Sequence, residues 1–421
     1  MSKADKQRVF YGWVVVVCSF LATFSYGIFY SFGVFFEQLK TEFGWSATIT
    51  SSIQSFHLFL GIISTLIVGR AAGKFGPRVT LACAGALVGV GIGLCSQVND
   101  LQHFYLFYGI ASLSVGALWV LPNTIVMWWF AKRRGLTIGI VTAGIAAGSA
   151  VYAPVANSLI LAHGWRTAYL ILGIGTWALI TVSASLIVWN PEKKGLKAYG
   201  IEEMTIGPPT ERQGYNSKVW RTGEWSLRET VRTKPFWLLS AVYFFSTLSV
   251  HMALVHVVPF AILAGINETA AAGALALVGG IGIAGRVIMA HSADKLGFKL
   301  ALIICCGVCA TMFAWLTGVQ RLWMIYLFAA VYGFFYGGKV PQTSGLVGYY
   351  FPGKSLATIF ATTSAIAMAG GSLGPLIGGL VYDQTQSYQT AFIIGASCWI
   401  LAAVLTSFLR APEKLAPTAV E

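Results

Sequence analysis

Apolar stretches of about 20 residues or more, long enough to cross a lipid bilayer, recur along the chain. Short polar segments separate them, and the charged side chains concentrate in those segments. Because a helix rises about 1.5 Å per residue, stretches of this length match the apolar thickness of a bilayer. The pattern predicts twelve transmembrane helices, near 10–36, 46–68, 79–97, 103–130, 136–162, 167–189, 236–264, 269–291, 299–318, 322–350, 355–381 and 388–409.

A long polar segment, 190–235, divides the twelve stretches into two sets of six. We therefore predict an all-α membrane protein with a six-helix bundle at 1–190, a cytoplasmic linker at 191–234 and a second six-helix bundle at 235–421. Within the linker, Ser226 and Glu229 have the spacing of a helix capping box. This spacing predicts a short amphipathic helix on the membrane surface.

The two sets of stretches resemble each other at a fixed offset of 221 residues. The segment 73–78 (GKFGPR) follows the second stretch, and 294–299 (DKLGFK) follows the eighth. The same offset relates Phe130 to Phe351. Duplicated six-helix halves, with a substrate site between them near the membrane midplane, are typical of secondary transporters.

The composition and charge distribution agree with a membrane location. Of the 421 residues, 56% are hydrophobic and only 10% are charged, whereas soluble domains average about 25% charged residues. With both termini in the cytoplasm, 23 of the 28 Lys and Arg residues lie on the cytoplasmic side and only Lys40, Arg166 and Arg321 lie outside. This asymmetry explains the net charge of +13 without a nucleic-acid partner. We expect a multi-pass monomer in the plasma (inner) membrane.

The segment 69–78 (GRAAGKFGPR) resembles the signature loop of the major facilitator superfamily. Gly73 stands where that motif usually has an aspartate, and the copy after the eighth stretch keeps the carboxylate as Asp294. With the twelve stretches and the repeat, the resemblance implies the major facilitator fold. It also implies a gate, in which Arg70, Lys74 and Asp294 form charge contacts that hold the cytoplasmic side closed.

Two further segments resemble the monocarboxylate transporter family of that superfamily. The segment 129–136 (WFAKRRGL) is similar to the family signature between helices four and five, and 24–36 (FSYGIFYSFGVFF) is similar to its run in helix one. The resemblance implies transport of small monocarboxylates such as lactate or pyruvate. The short C-terminal segment and the short central loop lead us to expect a bacterial member.

Three positions can be compared with the family's functional residues. The substrate-binding arginine of the family is retained as Arg286. A lysine tied to proton transfer is replaced by Tyr30, and an aspartate four residues before the arginine is replaced by Gly282. The resemblance therefore implies that the substrate-binding cation is present and that the usual proton-handling partners are missing.

The sequence gives an independent reason to single out Arg286. It lies about eight residues, or roughly 12 Å, inside the eighth stretch, where burying an arginine costs about 2.5–3.5 kcal/mol. A guanidinium keeps its charge, and its planar fork matches a carboxylate in two parallel hydrogen bonds. All fifteen acidic residues can be placed in loops, termini or helix ends. We therefore expect Arg286 to bind an anionic substrate, with a structural ion pair as the alternative.

Other polar residues in the predicted helices are candidate substrate contacts. Lys339 lies in the tenth stretch beside Pro341, where a loosened helix frees carbonyl groups that can solvate an ammonium. Either it contacts the substrate or it is a structural lysine capped by those carbonyls. Asn123 could contact the substrate or join neighbouring helices. The candidate hydroxyl donors, with packing as the alternative role, are Tyr30, Tyr332 and Tyr336.

A coupled proton needs a carrier, and no carboxylate is expected in the helix cores. A histidine such as His251 has an unperturbed pKa near neutral pH, and a lysine such as Lys339 can lose its charge when it is desolvated. We expect one of these to carry the proton, although an isolated histidine can also serve only as a hydrogen-bonding group. We expect neither a metal ion nor a cofactor, because the seven cysteines lie in apolar stretches without other clustered ligands.

The sequence therefore predicts a secondary active transporter of small monocarboxylates that moves its substrate with a proton by alternating access. An enzyme is not expected, because nucleophile, base and orienting acid do not cluster. The alternative is an organic anion exchanger of the oxalate–formate type, because the segment 233–237 (TKPFW) resembles the start of helix seven in those carriers. The expected partners are a small organic anion, a proton and the lipid bilayer.

Overall fold

A computed structural model describes residues 10–130, 134–189, 191–199, 225–351 and 356–410. Nearly all of these residues are helical. The long helices, numbered in chain order, are α1 (Tyr11–Phe43), α2 (Ala47–Phe75), α3 (Pro77–Leu94), α4 (Leu101–Ser112 continued by Val115–Trp129), α5 and α6 (together Arg134–Leu186), α7 (Lys234–Leu263), α8 (Glu268–Leu296), α9 (Phe298–Leu316), α10 (Leu322–Tyr350), α11 (Leu356–Thr385) and α12 (Gln389–Ser407).

These helices confirm the twelve spans predicted from the apolar pattern. Ten helical stretches of the described chain are both long and apolar enough to cross a membrane. One of them, 51 residues long, contains both α5 and α6. The remaining helix, α10, has 29 residues and is made more polar by several tyrosines and by Lys339.

The chain reverses direction between α5 and α6 at Gly164. Its φ of 79° and ψ of 161° are rarely adopted by residues with a side chain. The following Trp165 indole donates a hydrogen bond to Glu42 near the end of α1, and Arg166 donates to the Val98 carbonyl just after α3 at 3.1 Å. The turn therefore lies beside the ends of α1 and α3.

The alternating direction of the helices defines two faces of the bundle. We call the face where α1 begins and α12 ends the terminal face. The other, which we call the opposite face, carries the α1–α2, α3–α4, α5–α6, α7–α8, α9–α10 and α11–α12 connections. We call α1–α6 the first half and α7–α12 the second half.

Small residues let helices within each half approach closely. A Cβ atom added to Gly148 of α5 would lie 2.1 Å from the Phe24 carbonyl oxygen of α1. A Cβ atom on Gly374 of α11 would lie 2.1 Å from the Leu248 carbonyl oxygen of α7. Neither position can hold a larger residue without separating the helices, and close backbone contact is what packs helices in lipid.

The central segment is attached to each half at an equivalent position. Phe130 ends α4 and Phe351 ends α10, as the 221-residue offset predicts. The Tyr199 amide donates to the Trp129 carbonyl at 2.9 Å, and Trp225 packs edge-on against Phe351 with ring centroids 5.4 Å apart. We call these two contacts the linker anchors.

A one-turn helix, Leu227–Thr230, follows the second anchor. The predicted capping box is present. The Glu229 amide donates to the Ser226 hydroxyl, and the Glu229 carboxylate accepts from the Ser226 amide at 3.0 Å. The box therefore fixes where the chain turns toward α7.

At the opposite face, hydrogen bonds join the two halves. The Asp383 carboxylate of α11 accepts from the backbone amides of Ala47 and Thr48, at 2.9 and 2.8 Å, at the start of α2. Gln38 of α1 donates to Glu268 of α8 at 3.2 Å. These contacts hold the halves together on this face, so the space between them extends toward the terminal face.

Candidate functional site

A cavity of about 150 Å³ lies between the two halves. Val340, Thr343 and Ser344 continue its wall along α10 toward the terminal face. Its other polar and aromatic lining residues include Tyr26, Tyr30 and Trp119 from the first half and Tyr243, Thr247, His251, Arg286, Tyr336, Lys339 and Ser364 from the second. The structure thus brings together Arg286, Lys339, His251, Tyr30 and Tyr336, all five of which the sequence had indicated.

Arg286 reaches the cavity because α8 packs tightly on α10. A Cβ atom on Gly285 would lie 1.9 Å from the Phe334 carbonyl oxygen, so the two backbones touch there. The next residue, Arg286, extends toward α5. Its Nη1 donates to the Thr142 carbonyl of α5. Its guanidinium also interacts with the Tyr336 phenol.

The buried guanidinium of Arg286 is incompletely satisfied. The side chain is buried, and its Nε has no hydrogen-bond partner among the described residues. The ion pairs of the described part of the chain involve Lys40, His103 and Arg166 rather than Arg286. An arginine that cannot lose its charge and has no carboxylate partner needs an anion from elsewhere.

Lys339 is the second buried cation of the cavity. Its ammonium lies 3.5 Å from the Thr247 hydroxyl, 5.7 Å from the centre of the Tyr243 ring and 5.9 Å from that of Trp399. Aromatic faces attract a cation but do not neutralise it. Among the described residues no carboxylate pairs with Lys339.

A chain of tyrosines connects the first half to Arg286. The ring of Tyr26 lies 5.6 Å from that of Tyr30. The Tyr30 hydroxyl interacts with Tyr336, which in turn interacts with Arg286. Hydroxyl groups from both halves therefore lie beside the cation.

Two other predicted substrate contacts do not line the cavity. Tyr332 is fully buried and stacks on Phe328 at 4.9 Å, and its hydroxyl has no partner among the described residues. The Asn123 amide donates to the Trp119 carbonyl one turn earlier in α4 at 2.7 Å. Tyr332 therefore contributes to packing in the second half, and the Asn123 amide bonds within its own helix.

His251 lines the cavity beside Tyr30. Its Nδ1 lies 3.0 Å from the Thr247 carbonyl oxygen, and its ring lies 5.8 Å from that of Tyr30. A carbonyl can only accept a hydrogen bond, so Nδ1 carries the hydrogen and Nε2 has the free lone pair. His251 therefore presents a base at the site.

The gate predicted at the terminal face is only partly visible. Lys74 is exposed, and its ammonium lies 5.2 Å from the centre of the Phe75 ring. Arg70 and Asp294 lie in α2 and α8, but their side chains are outside the described part of the structure. The predicted contacts among the three therefore stay a prediction.

Several lining residues were not predicted from the sequence, although one group of them had a usable signal. Tyr243, Thr247 and His251 follow each other at four-residue intervals in α7 and so share one face of the helix. Extending this face backward from His251 would have identified the other two. Ser364 and Met368 of α11 gave a weaker signal, because neither side chain carries a charge and small polar residues also occur elsewhere in the same helix.

Comparison with known proteins identifies the family. The sequence model of the protein family described as Major Facilitator Superfamily matches residues 15–319 and 293–421, which together are nearly the whole chain. Monocarboxylate transporter 12 of Homo sapiens is 24% identical over 436 residues, with 97% of this chain and 82% of that protein covered. Monocarboxylate transporter 7 of Homo sapiens is 26% identical over 460 residues, with 95% and 86% covered.

Solved structures agree at the level of the fold. The crystal structure of a D-xylose-proton symporter matches with a TM-score of 0.76 and 16% identity, covering 96% of this chain and 99% of that one. A bacterial homolog of the human lysosomal transporter Spinster, in an inward-facing and unoccupied conformation, matches with a TM-score of 0.65 and 15% identity, covering 95% of each chain. Likeness at such identities carries the fold and not the substrate.

The predicted family resemblance is therefore confirmed, and the predicted fold with it. The protein is a multi-pass membrane transporter and not an enzyme. Its matching relatives are named monocarboxylate transporters. The chain belongs to the Major Facilitator Superfamily, and within that superfamily it is related to the monocarboxylate transporters.

Proposed function

We propose that the protein is a secondary active transporter that moves small monocarboxylates, such as lactate or pyruvate, together with a proton by alternating access. The observation that carries this proposal is the buried Arg286 guanidinium, which faces the cavity without a carboxylate partner among the described residues. A substrate carboxylate supplies the missing anion in two parallel hydrogen bonds. The names of the relatives support the same substrate class.

The size and lining of the cavity favour a small acid. A volume of about 150 Å³ corresponds to that of a few water molecules at about 30 Å³ each. Tyr30 and Tyr336 offer hydroxyl groups to a keto or hydroxy oxygen next to the carboxylate. His251 and Lys339 are the proton carriers of the proposal, since both line the cavity and both exist in charged and neutral forms.

Alternating access requires that each face opens in turn. We place the terminal face in the cytoplasm of a cell with the protein in its plasma membrane, in keeping with the Lys and Arg distribution. The contacts of Asp383 and Glu268 then close the external side. Arg70, Lys74 and Asp294 would close the cytoplasmic side in the other state, and each monomer would work alone.

The substrate class is tested by ligand binding to the purified protein. We expect lactate and pyruvate to raise its melting temperature and the corresponding uncharged amides to leave it unchanged, because only the acids neutralise Arg286. Equal shifts from the amides, or none from any acid in a broad screen, would refute the monocarboxylate assignment.

The second candidate is an organic anion exchanger. The observation that favours it is the pair of cations, Arg286 and Lys339, in one cavity, which matches a substrate with two acidic groups. Proteoliposomes distinguish the candidates. A proton symporter accumulates labelled acid when only a pH gradient is imposed, whereas an exchanger takes up label only when substrate is already inside.

A further inference from the structure

His57 of α2 is a fully buried histidine with no role in the scheme above. Its ring stacks on Phe29 with centroids 4.1 Å apart and lies 6.4 Å from the ring of Tyr26. Tyr26 also lines the substrate cavity. His57 therefore lies directly behind the first-half wall of the cavity.

The hydrogen bonds around His57 determine which ring nitrogen carries the hydrogen. Its Nδ1 lies 2.8 Å from the Ser112 hydroxyl oxygen, and that hydroxyl donates its hydrogen to the Tyr108 carbonyl at 2.7 Å. The Ser112 oxygen can therefore only accept from His57, so Nδ1 is the donor and Nε2 has the lone pair. This Nε2 is buried and has no partner among the described residues.

The other two buried histidines show that this arrangement is selective. His251 also has its Nδ1 committed, to the Thr247 carbonyl, and keeps a free Nε2. His256 differs, because its Nε2 donates to the Pro375 carbonyl at 2.9 Å and its Nδ1 lies 3.3 Å from the Tyr388 hydroxyl. Of the three buried histidines in the described part of the chain, His57 and His251 present an unoccupied base, one in each half.

We propose that His57 and His251 form a proton-binding pair across the two halves and share the coupling proton of transport. The inference rests on the proposed proton symport and adds a first-half residue to it. The tyrosines between the pair are Tyr26, which contacts His57, and Tyr30, which lies 5.8 Å from His251. Exchange of the proton between the two bases requires the halves to move, because the Nε2 of His57 has no hydrogen-bond partner among the described residues.

The charges around the pair favour one proton at a time. A proton on one histidine opposes a proton on the other, because two positive charges repel each other in a poorly solvated interior. Lys339 of α10 and His251 both approach Thr247, with the ammonium 3.5 Å from its hydroxyl and Nδ1 3.0 Å from its carbonyl oxygen. The titratable groups beside His57 are the phenols of Tyr26 and Tyr108 from α1 and α4. His57 does not line the cavity that holds Lys339 and Arg286, whereas His251 does. Because its members belong to different halves, movement of the halves changes the pair's proton affinity, which links proton binding to the conformational change.

The test uses the full-length protein in proteoliposomes with labelled L-lactate as the probe. His57→Asn keeps a nitrogen donor toward Ser112 and removes the base at Nε2. Ser112→Ala removes the hydrogen-bond partner of Nδ1 and leaves the imidazole with its base at Nε2. His103→Asn changes an exposed histidine outside the cavity and serves as the control. Each variant is assayed for accumulation under an imposed pH gradient and for counterflow at equal pH.

We expect His57→Asn to lose gradient-driven accumulation and to retain counterflow, and Ser112→Ala to be the milder variant. The double variant His57→Asn/His251→Asn should accumulate as much lactate as either single variant. Each of the three variants loses the same step, the binding of the shared proton. If His57→Asn accumulates like wild type, or if Ser112→Ala is the more damaging change, the pair is refuted and His57 is structural. If wild type itself exchanges lactate but never accumulates it, proton symport fails and the pair fails with it.

Discussion

The two walls of the cavity differ in charge although they derive from a repeated structure. The 221-residue offset relates Tyr30 to His251 and Tyr26 to Thr247, and all four residues line the cavity. The second half adds the cations Arg286 and Lys339, whereas the offset positions in the first half are Thr65 and Leu118. The repeat has kept its geometry and diverged in its chemistry.

This difference separates two tasks. In the proposed mechanism the second half holds the charges that select an anion, and these charges lie on α8 and α10. The first half supplies neutral hydroxyl groups and the Thr142 carbonyl, which accepts from Arg286 across the interface. A carboxylate bound at Arg286 can replace that interaction, so substrate binding and contact between the halves involve the same guanidinium.

The largest expected effect is the loss of the second-half cation. Hydrogen bonds to charged groups contribute about 1.5–3 kcal/mol each, so Arg286→Ala should weaken carboxylate binding by about 100-fold or more. Arg286→Lys should be nearly as damaging, because an ammonium cannot form the planar fork. Calorimetric titration with lactate measures both, with Arg321→Ala at the opposite face as the matched control. Wild-type affinity in Arg286→Ala would show that the substrate is bound elsewhere.

The next effect distinguishes proton coupling from anion binding, two roles proposed for side chains of the second half. His251→Gln and Lys339→Gln remove the two groups of the cavity proposed to exchange a proton. The variant that removes the carrier should lose accumulation driven by a pH gradient and keep exchange of labelled for unlabelled substrate. Uptake by proteoliposomes decides the matter. Undiminished accumulation in both variants would place the proton on another route.

A third effect concerns how firmly the two halves are joined on the opposite face. Asp383→Asn removes the charge from two hydrogen bonds between the halves and should shift the protein toward the state open on that face. The matched control is Asp100→Asn, because the Asp100 carboxylate also accepts from a backbone amide, that of His103 at 2.8 Å, but within one half. Accessibility of a cysteine introduced in the cavity reports the shift. If both variants behave alike, the charge of Asp383 contributes only as a helix cap.

A smaller effect is expected on the neutral wall. Tyr30→Phe removes a hydroxyl that lies beside Arg286, and a neutral hydrogen bond contributes about 0.5–1.5 kcal/mol. The KM for lactate should therefore rise up to roughly tenfold. Tyr332→Phe removes a hydroxyl that has no partner among the described residues, and it should leave the KM unchanged. A reversal of this order would place Tyr332, not Tyr30, at the substrate.

The smallest effect concerns the repeated loop at the terminal face. Gly73→Asp restores the carboxylate that the second-half copy retains as Asp294. A Cβ atom at Gly73 meets no other atom within 4 Å, so the change should be tolerated by the fold. It should shift the population toward the state closed on the terminal face, as measured by cysteine labelling in the cavity. An unchanged labelling rate would argue against the predicted gate.

Much of the fold followed from the sequence because apolar length, the repeat and the Lys and Arg distribution are local properties of the chain. Arg286 and Lys339 could be identified for a similar reason, since a charge inside an apolar stretch is conspicuous without any knowledge of its neighbours. Tyr30 followed from the family resemblance and Tyr336 from its place beside Lys339. His251 followed from its titratable side chain in a predicted helix without carboxylates.

Side-chain surroundings were harder to predict because they depend on other helices. Tyr332 and Tyr336 lie one turn apart in α10, yet only Tyr336 reaches the cavity. Tyr332 instead contacts Phe313 of α9 and Trp399 of α12, with ring centroids 5.6 and 6.4 Å away. The unpartnered Nε2 of His57 could not be predicted from the sequence either. Its assignment depends on the Ser112 hydroxyl, which donates to the Tyr108 carbonyl and accepts from Nδ1.

The linker anchors have a consequence for how the molecule can be taken apart. Tyr199 is fastened to the end of α4 and Trp225 to the end of α10, so each half keeps its own anchor if the chain is cut between residues 200 and 224. Neither linker anchor then depends on an intact chain between residues 199 and 225. Two separately expressed fragments, 1–210 and 211–421, would each carry six helices and a fastened end, and their reassembly would depend on the interface between the halves alone.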